Sequence, residues 1–226
     1  MNPTTGTWPP LPPEPPHPPH PHRSPWLPEP RPVAPGPVSA SSSVQVWAPD
    51  QLAERLLDQR VVVLAGELDT ETANRAIASL ALLDASGDEP VQLRLSGVRV
   101  DLGIALGLVD ALDLMGAPVH VTALGTLTGA AIALLAVGDV RIAAPHALLQ
   151  MADPRPPGGV RGWDVEAWAA DHTRQVQRLH ERLAQASGRP VEEIAADMHA
   201  GRLLTVSEAH TYGLVDTATS PRRTDH

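Results

Sequence analysis

The stretch that most constrains this chain is Thr126 to Gly138, TLTGAAIALLAVG, thirteen residues without a single charge. Strand-like runs stand on both sides of it: Val119 to Ala123 before the turn at Gly125, then Val140 to Ala143, and Ala147 to Met151 before Asp153-Pro154. The run predicts a buried helix. Gly129, Ala130, Ala131 and Ala133 are small enough for other backbone to approach, Leu134, Leu135 and Val137 supply the bulk, and Gly138 is the stop. A strand, a glycine turn and a helix whose first turn faces an open pocket collects unpaired N–H groups, which suits oxyanion chemistry. Periodicity alone favours the plainer reading, the innermost helix of an α/β core. A membrane span is disfavoured, because Val121 to Val137 is seventeen residues carrying three threonines and two glycines, short of what a bilayer requires.

Around this centre the order is β-α-β-α-β. Asp50 is placed to cap a helix over Gln51 to Gln59, with Leu52, Leu56 and Leu57 on one face. Val61 to Leu64, ending in Gly66, is apolar without alternation and so predicts a strand covered on both faces, as in a parallel sheet. Asp69 or Thr70 caps a helix through Leu83, with Ala73, Ile77, Leu80 and Leu83 at core spacing; Val91 to Leu95 is the next strand and Leu102 to Met115 the next helix. Crossovers of that length join parallel strands.

Past Pro154, residues 155 to 162 read as an exposed loop, and Trp163 to Ser187 as a long amphipathic helix with Val165, Trp168, Val176, Leu179 and Leu183 as its apolar stripe. A stripe of that length asks for a partner surface. Pro190 to Met198 is a short helix, Leu203 to Thr205 a short strand, and Thr205 or Ser207 caps a last helix before Tyr212-Gly213-Leu214-Val215-Asp216.

Composition divides the chain sharply. Of 25 prolines, 16 fall within the first 37 residues, beside His17, His20 and His22. Such a segment supports neither helix nor ladder, so residues 1–43 are expected to be a disordered or polyproline II arm with a Ser/Ala linker, 44–216 one domain, and 217–226 a loose tail. The arm lacks the basic start and apolar core of a signal peptide, and its histidines have no fixed spacing for a metal. There is no cysteine, which fits a cytoplasmic protein and excludes a cysteine nucleophile. A net charge of -9 argues against nucleic acid as a partner, and the 17 basic residues are all arginine, which excludes lysine chemistry.

Several ordered segments resemble the proteolytic subunits of the ClpP family, within the wider ClpP and crotonase superfamily. They are RLLDQRVVVLAGELDTETAN (55–74), the strand QLRL, the helix ending LVDAL, the run GAAIALLAVGD, ASGRPVEEIAAD, and the ending SEAHTYGLVD, together covering about residues 50 to 216. The resemblance implies an α/β fold, a ClpP/crotonase-like crossed β-α superhelix with a protruding handle helix at about Trp163 to Ala186. It also implies rings that meet through the handles, built from this chain, from active paralogues or from both, with an AAA+ unfoldase as a further partner. No cofactor, metal, nucleic acid or membrane is expected as a partner.

Active members hydrolyse peptides with serine, histidine and aspartate and a Gly-Gly oxyanion backbone. Carried over residue by residue, the serine position falls on Gly129, with Thr128 one step away. The histidine position falls on Ala152 and the aspartate position on Gly201. Arg99 and Val100 stand where the family has its two glycines. The resemblance thus implies the scaffold and leaves no catalytic, cofactor-binding or metal residue assigned. The expected function is a non-catalytic structural or regulatory subunit, in which the strand Leu148 to Met151 and the loop after it still offer an edge to an extended peptide. Two enzyme readings stay open: a divergent peptidase using Thr128 with His120, His146 or His199 as base, and a crotonase-like acyl-CoA enzyme, suggested by GDVRIAAPHA.

Overall fold

The computed structural model describes residues 50–154 and 165–219. The proline-rich arm, the loop after Pro154, Trp163 and the end of the tail lie outside the described residues. Helix α1 (Asp50–Asp58) leads into β1 (Val61–Leu68), α2 (Thr70–Ser86), β2 (Val91–Val100) and α3 (Leu102–Asp113). Then come β3 (Val119–Leu124), β4 (Thr126–Thr128), α4 (Ala131–Ala136), β5 (Val140–Ala143) and β6 (Leu148–Gln150). After the undescribed loop follow α5 (Val165–Ser187), α6 (Val191–Ala200), β7 (Leu203–Thr205), α7 (Val206–Tyr212) and β8 (Thr217–Ala218).

The strands form one sheet in the order β7-β6-β4-β2-β3-β5-β8, with β1 also paired to β2. All described pairings are parallel except β6 with β7. Parallel neighbours need long crossovers, and α2 and α3 supply them. Local chemistry sets the helix starts. The Asp69 carboxylate accepts from the Thr72 N–H at 2.8 Å, a bond that holds its pKa below the ordinary value, and Asp101 accepts from Gly103 at 3.0 Å. At α7, Thr205 and Glu208 cap each other reciprocally.

Four expectations change. The thirteen-residue helix is instead the strand β4 followed by the six-residue α4. Leu127 is fully buried between two half-exposed threonines, a period-two pattern, and β4 finds ladder partners in β2 and β6. That tertiary pairing outweighs a helical run too short to hold itself. Val63 is 44 % exposed, so β1 is covered on one face only: an apolar run does not distinguish a face buried within the chain from one left for a partner. β2 runs on to Val100, beyond the expected Leu95. The expected loose tail begins with a strand, since Thr217 and Ala218 pair with Ile142 and Ala143 of β5.

α4 is the centre of the core, with all six residues buried. From residue 168 onward, α5 is buried at its far end, where Leu179, Leu183 and Ala184 pack on the core, while residues 168–178 are half-buried or exposed. Val176 also packs against the core and Trp168 stacks on His172 at 4.9 Å. The apolar stripe is therefore covered in part: Leu179 and Leu183 are buried, while Val176 and Trp168 are half-buried.

Two charged clusters lock the end of the chain. Arg141 donates to Asp216 and to the carbonyls of Ala186 and Gly213, tying β5 to the ends of α5 and α7. Tyr212 donates to Asp197 at 2.7 Å and carries Arg189 over its ring at 4.1 Å; burial pushes its phenol well above the ordinary value.

Candidate functional site

The three positions where the resemblance expects a triad meet at one corner of the sheet. The N–H of Gly129, just past β4, donates to the carbonyl of Gln150 at 2.9 Å, and the N–H of Met151 donates to the carbonyl of Arg202 at 2.8 Å. β4, β6 and the approach to β7 are thereby drawn side by side, with Gly129, Ala152 and Gly201 at their ends. A Cβ placed on Gly129 would stand 3.1 Å from the Ala152 carbonyl oxygen, and Gly129 holds φ at +60. Gly201 closes α6 in the left-handed region at φ 69. Two hydrogens and a methyl occupy these positions, so none can take or give a proton.

The oxyanion side is equally changed. Arg99 and Val100 belong to the extended strand β2, paired with Glu67 and Leu68 of β1, and Arg99 pairs also with Thr128 of β4. Arg99 is laddered on both sides and Val100 on one, an extended strand geometry in place of a glycine turn whose N–H groups could converge on a developing oxyanion. The edge expected for an extended peptide is also filled: β6 pairs with β4 on one side and β7 on the other. The loop after Pro154 lies outside the described residues.

The histidines proposed as a base for Thr128 are dispersed. His120 pairs with Gln92 of β2 and Thr128 with Arg99. Seven strand residues separate those partners, roughly 23 Å at the strand rise. His146 is exposed in the turn before β6, beyond the Leu148 end of that strand, whereas Thr128 pairs with Gln150 at the other end. His199 is engaged by Asp153, Nδ1 to Oδ2, at 2.9 Å. Thr128 shares the open face with Arg99 and Gln150, opposite buried Leu127, and its hydroxyl bonds no histidine among the described residues.

Sequence reasoning missed one buried polar group. His180 of α5 is 7 % exposed with its Nε2 unpartnered among the described residues, and burial holds its pKa below the ordinary histidine value, partly opposed by the Asp153 carboxylate. The available signal was its place in the helix, between Leu179 and Leu183 on the inward stripe. A second cleft, about 340 Å³, lies at the opposite end of α4. Its charges are spent within the fold, Arg141 on Asp216 and Arg182 on Asp113. Among the described residues no group of three or more His, Asp or Glu is arranged to hold a metal ion, and no helix is long and apolar enough to cross a membrane.

A mixed sheet wrapped on one central apolar helix, with a long helix buried at its far end and three chain segments meeting at the corner past β4 and β6, defines a scaffold of the Clp protease type. The Clp protease family model matches residues 46–222. The chain is 34 % identical over 176 residues to the ATP-dependent Clp protease proteolytic subunit 3 of Rhodococcus jostii (strain RHA1), covering 76 % of this chain and 86 % of that one. It is 32 % identical over 168 residues to the ATP-dependent Clp protease proteolytic subunit of Pleurastrum terricola, covering 71 % and 84 %. The protein belongs to the Clp protease family and is a homologue of its proteolytic subunits.

Proposed function

We propose that this protein is a non-catalytic member of the family, a structural or regulatory subunit that joins a Clp-type ring without cutting peptides. The observation that carries the reading is the meeting of Gly129, Ala152 and Gly201 at one corner, with no functional group at any of them. The ladder pairing of Arg99 and Val100 supports it, since a triad without its oxyanion donors loses most of what remains of catalysis. Members of this family form rings and work with AAA+ unfoldases, and the half-exposed end of α5 is the part of this chain suited to ring contact. No specific observation favours an acyl-CoA enzyme or a Thr128 peptidase.

The test combines a fluorophosphonate label and peptide and casein turnover on the pure protein with light-scattering mass, alone and mixed with an active paralogue from the same cell. The expected result is no label and no turnover, with a mass above that of a single chain in at least one condition. Turnover abolished by Thr128→Ala would replace this reading with the peptidase one.

A further inference from the structure

Five residues on five neighbouring strands stand at one register level of the sheet. Glu67 of β1 pairs with Arg99 of β2, Arg99 with Thr128 of β4, Thr128 with Gln150 of β6, and Gln150 with Leu203 of β7. Ladder partners project to the same side of a sheet, and the residues beside them, Leu68, Val100, Leu127 and Leu149, are buried on the other face. The row therefore faces outward: Glu67, Arg99 and Leu203 are exposed, Thr128 and Gln150 half-buried. It borders the corner, one residue before Gly129, two before Ala152 and two after Gly201.

The polar groups of this row are unspent, unlike Arg141 and Arg182 in the cleft at the other end of α4. Among the described residues, Arg99, Thr128 and Gln150 make no side-chain hydrogen bond, and Glu67, one strand away, does not pair with Arg99. Neighbouring strands lie about 4.8 Å apart, so Arg99 and Gln150 flank Thr128 with roughly 10 Å between them. Two long side chains beside a short one leave room over the Thr128 hydroxyl, within reach of a guanidinium from one side and a carboxamide from the other. All three groups can donate. A carboxylate only accepts, and it matches the guanidinium fork bidentately. Beyond Gln150 the row ends on apolar Leu203, 52 % exposed. The last residue of a peptide fits this sequence of groups, since it carries a carboxylate and a side chain on one carbon. An acidic side chain has no apolar group so placed.

We propose that Arg99, Thr128 and Gln150 form a binding site for the C-terminal carboxylate of a peptide whose last side chain is apolar and rests on Leu203. The site reads a chain end through side chains and needs no free strand edge, in keeping with β6 being paired on both sides. Glu67 stands on the far side of Arg99 and opposes the incoming anion, which holds the affinity down. The inference rests on the reading of this chain as a non-catalytic subunit in one respect: the bound end is held and not cut.

The experiment is fluorescence anisotropy on the full chain with three short alanine peptides labelled at the N-terminus: one ending in leucine as the free acid, the same peptide as its C-terminal amide, and an amide-ended peptide with aspartate in place of the leucine. The free acid is expected to bind saturably, and the other two about tenfold more weakly or worse, since a hydrogen-bonded charge is lost or misplaced. Arg99→Gln should weaken the free acid by about tenfold, and Glu67→Gln should tighten it. Both substitutions are at exposed side chains, and circular dichroism establishes that each variant is folded. No saturable binding, equal binding of acid and amide, or indifference to Arg99→Gln overturns the site. Equal binding of the aspartate peptide overturns its assignment to a chain end. Each peptide is recovered and sized by chromatography: a shortened peptide refutes the non-catalytic reading whatever the anisotropy shows, whereas an intact peptide that does not bind overturns only the site.

Discussion

Rebuilding the catalytic residues by Gly129→Ser, Ala152→His and Gly201→Asp together tests whether this corner lacks only its side chains or also the backbone that would use them. Gly129 and Gly201 hold φ at +60 and +69, where a residue with a Cβ is disfavoured by roughly 1–2 kcal/mol each. The serine Cβ would also stand 3.1 Å from the Ala152 carbonyl oxygen, close enough that the carbonyl must give by a few tenths of an ångström. The aspartate is the milder change, since aspartate tolerates the left-handed region and nothing lies within 4 Å of its Cβ. The sum is about 2–4 kcal/mol, within the stability of an ordinary domain, and lowers Tm by roughly 5–15 °C. The triple variant therefore folds. Its rate is a separate matter, because β2 remains a strand through Val100, paired on both sides at Arg99. Each missing oxyanion donor costs on the order of 10²–10³ in kcat. In a fluorogenic peptide assay the folded triple variant is expected at least about a thousandfold below an active family member. Adding Arg99→Gly and Val100→Gly should recover part of that deficit. A triple variant within tenfold of an active member would refute the reasoning, because ladder-bound backbone at residues 99 and 100 would then not limit catalysis.

Deleting residues 1–40 should leave Tm within a few degrees of the full chain, because a segment this rich in proline buries little; a larger fall by calorimetry would move the domain boundary. Trp168→Glu should split any assembly made through α5 into smaller species of unchanged helicity, since it puts an unpaired charge at the contact. Unchanged mass by light scattering would place assembly on another face. Asp216 has its pKa lowered chiefly by its hydrogen bonds from Arg141. Its stabilisation is therefore full above the ordinary carboxylate pKa and lost as pH falls through the lowered folded value. Asp216→Asn should destabilise the protein by about 1 kcal/mol or less at pH 7 in urea titrations, because the carboxylate is 39 % exposed and screened by solvent, with the difference from wild type shrinking in acid. A difference independent of pH would mean that Arg141 draws its support from the Ala186 and Gly213 carbonyls instead.

What the sequence by itself determined is what short-range chemistry decides. The caps at Asp69 and Thr205 act within three residues, and each helix start they predict is where the structure has one. The period of α5 is carried by its own side chains, and its inward Leu179 and Leu183 are buried as that period requires. That Gly129, Ala152 and Gly201 stand where the resemblance expects a triad was read from ordered motifs alone, since motif spacing survives where individual residues do not. Tertiary structure decided everything that depends on a ladder or on segments far apart in the chain. Thr126 to Thr128 is a strand because β2 and β6 offer it backbone partners, an option that lies 29 residues back and 22 ahead and leaves no mark on the local pattern. Thr217 and Ala218 are ordered by β5 in the same way. Asp153 meets His199 across 46 residues, and His180 is buried only by the packing of α5 on the core. Hydrogen bonds between strands and charges buried between elements are non-local by nature, so their partners become known only once the chain has closed on itself.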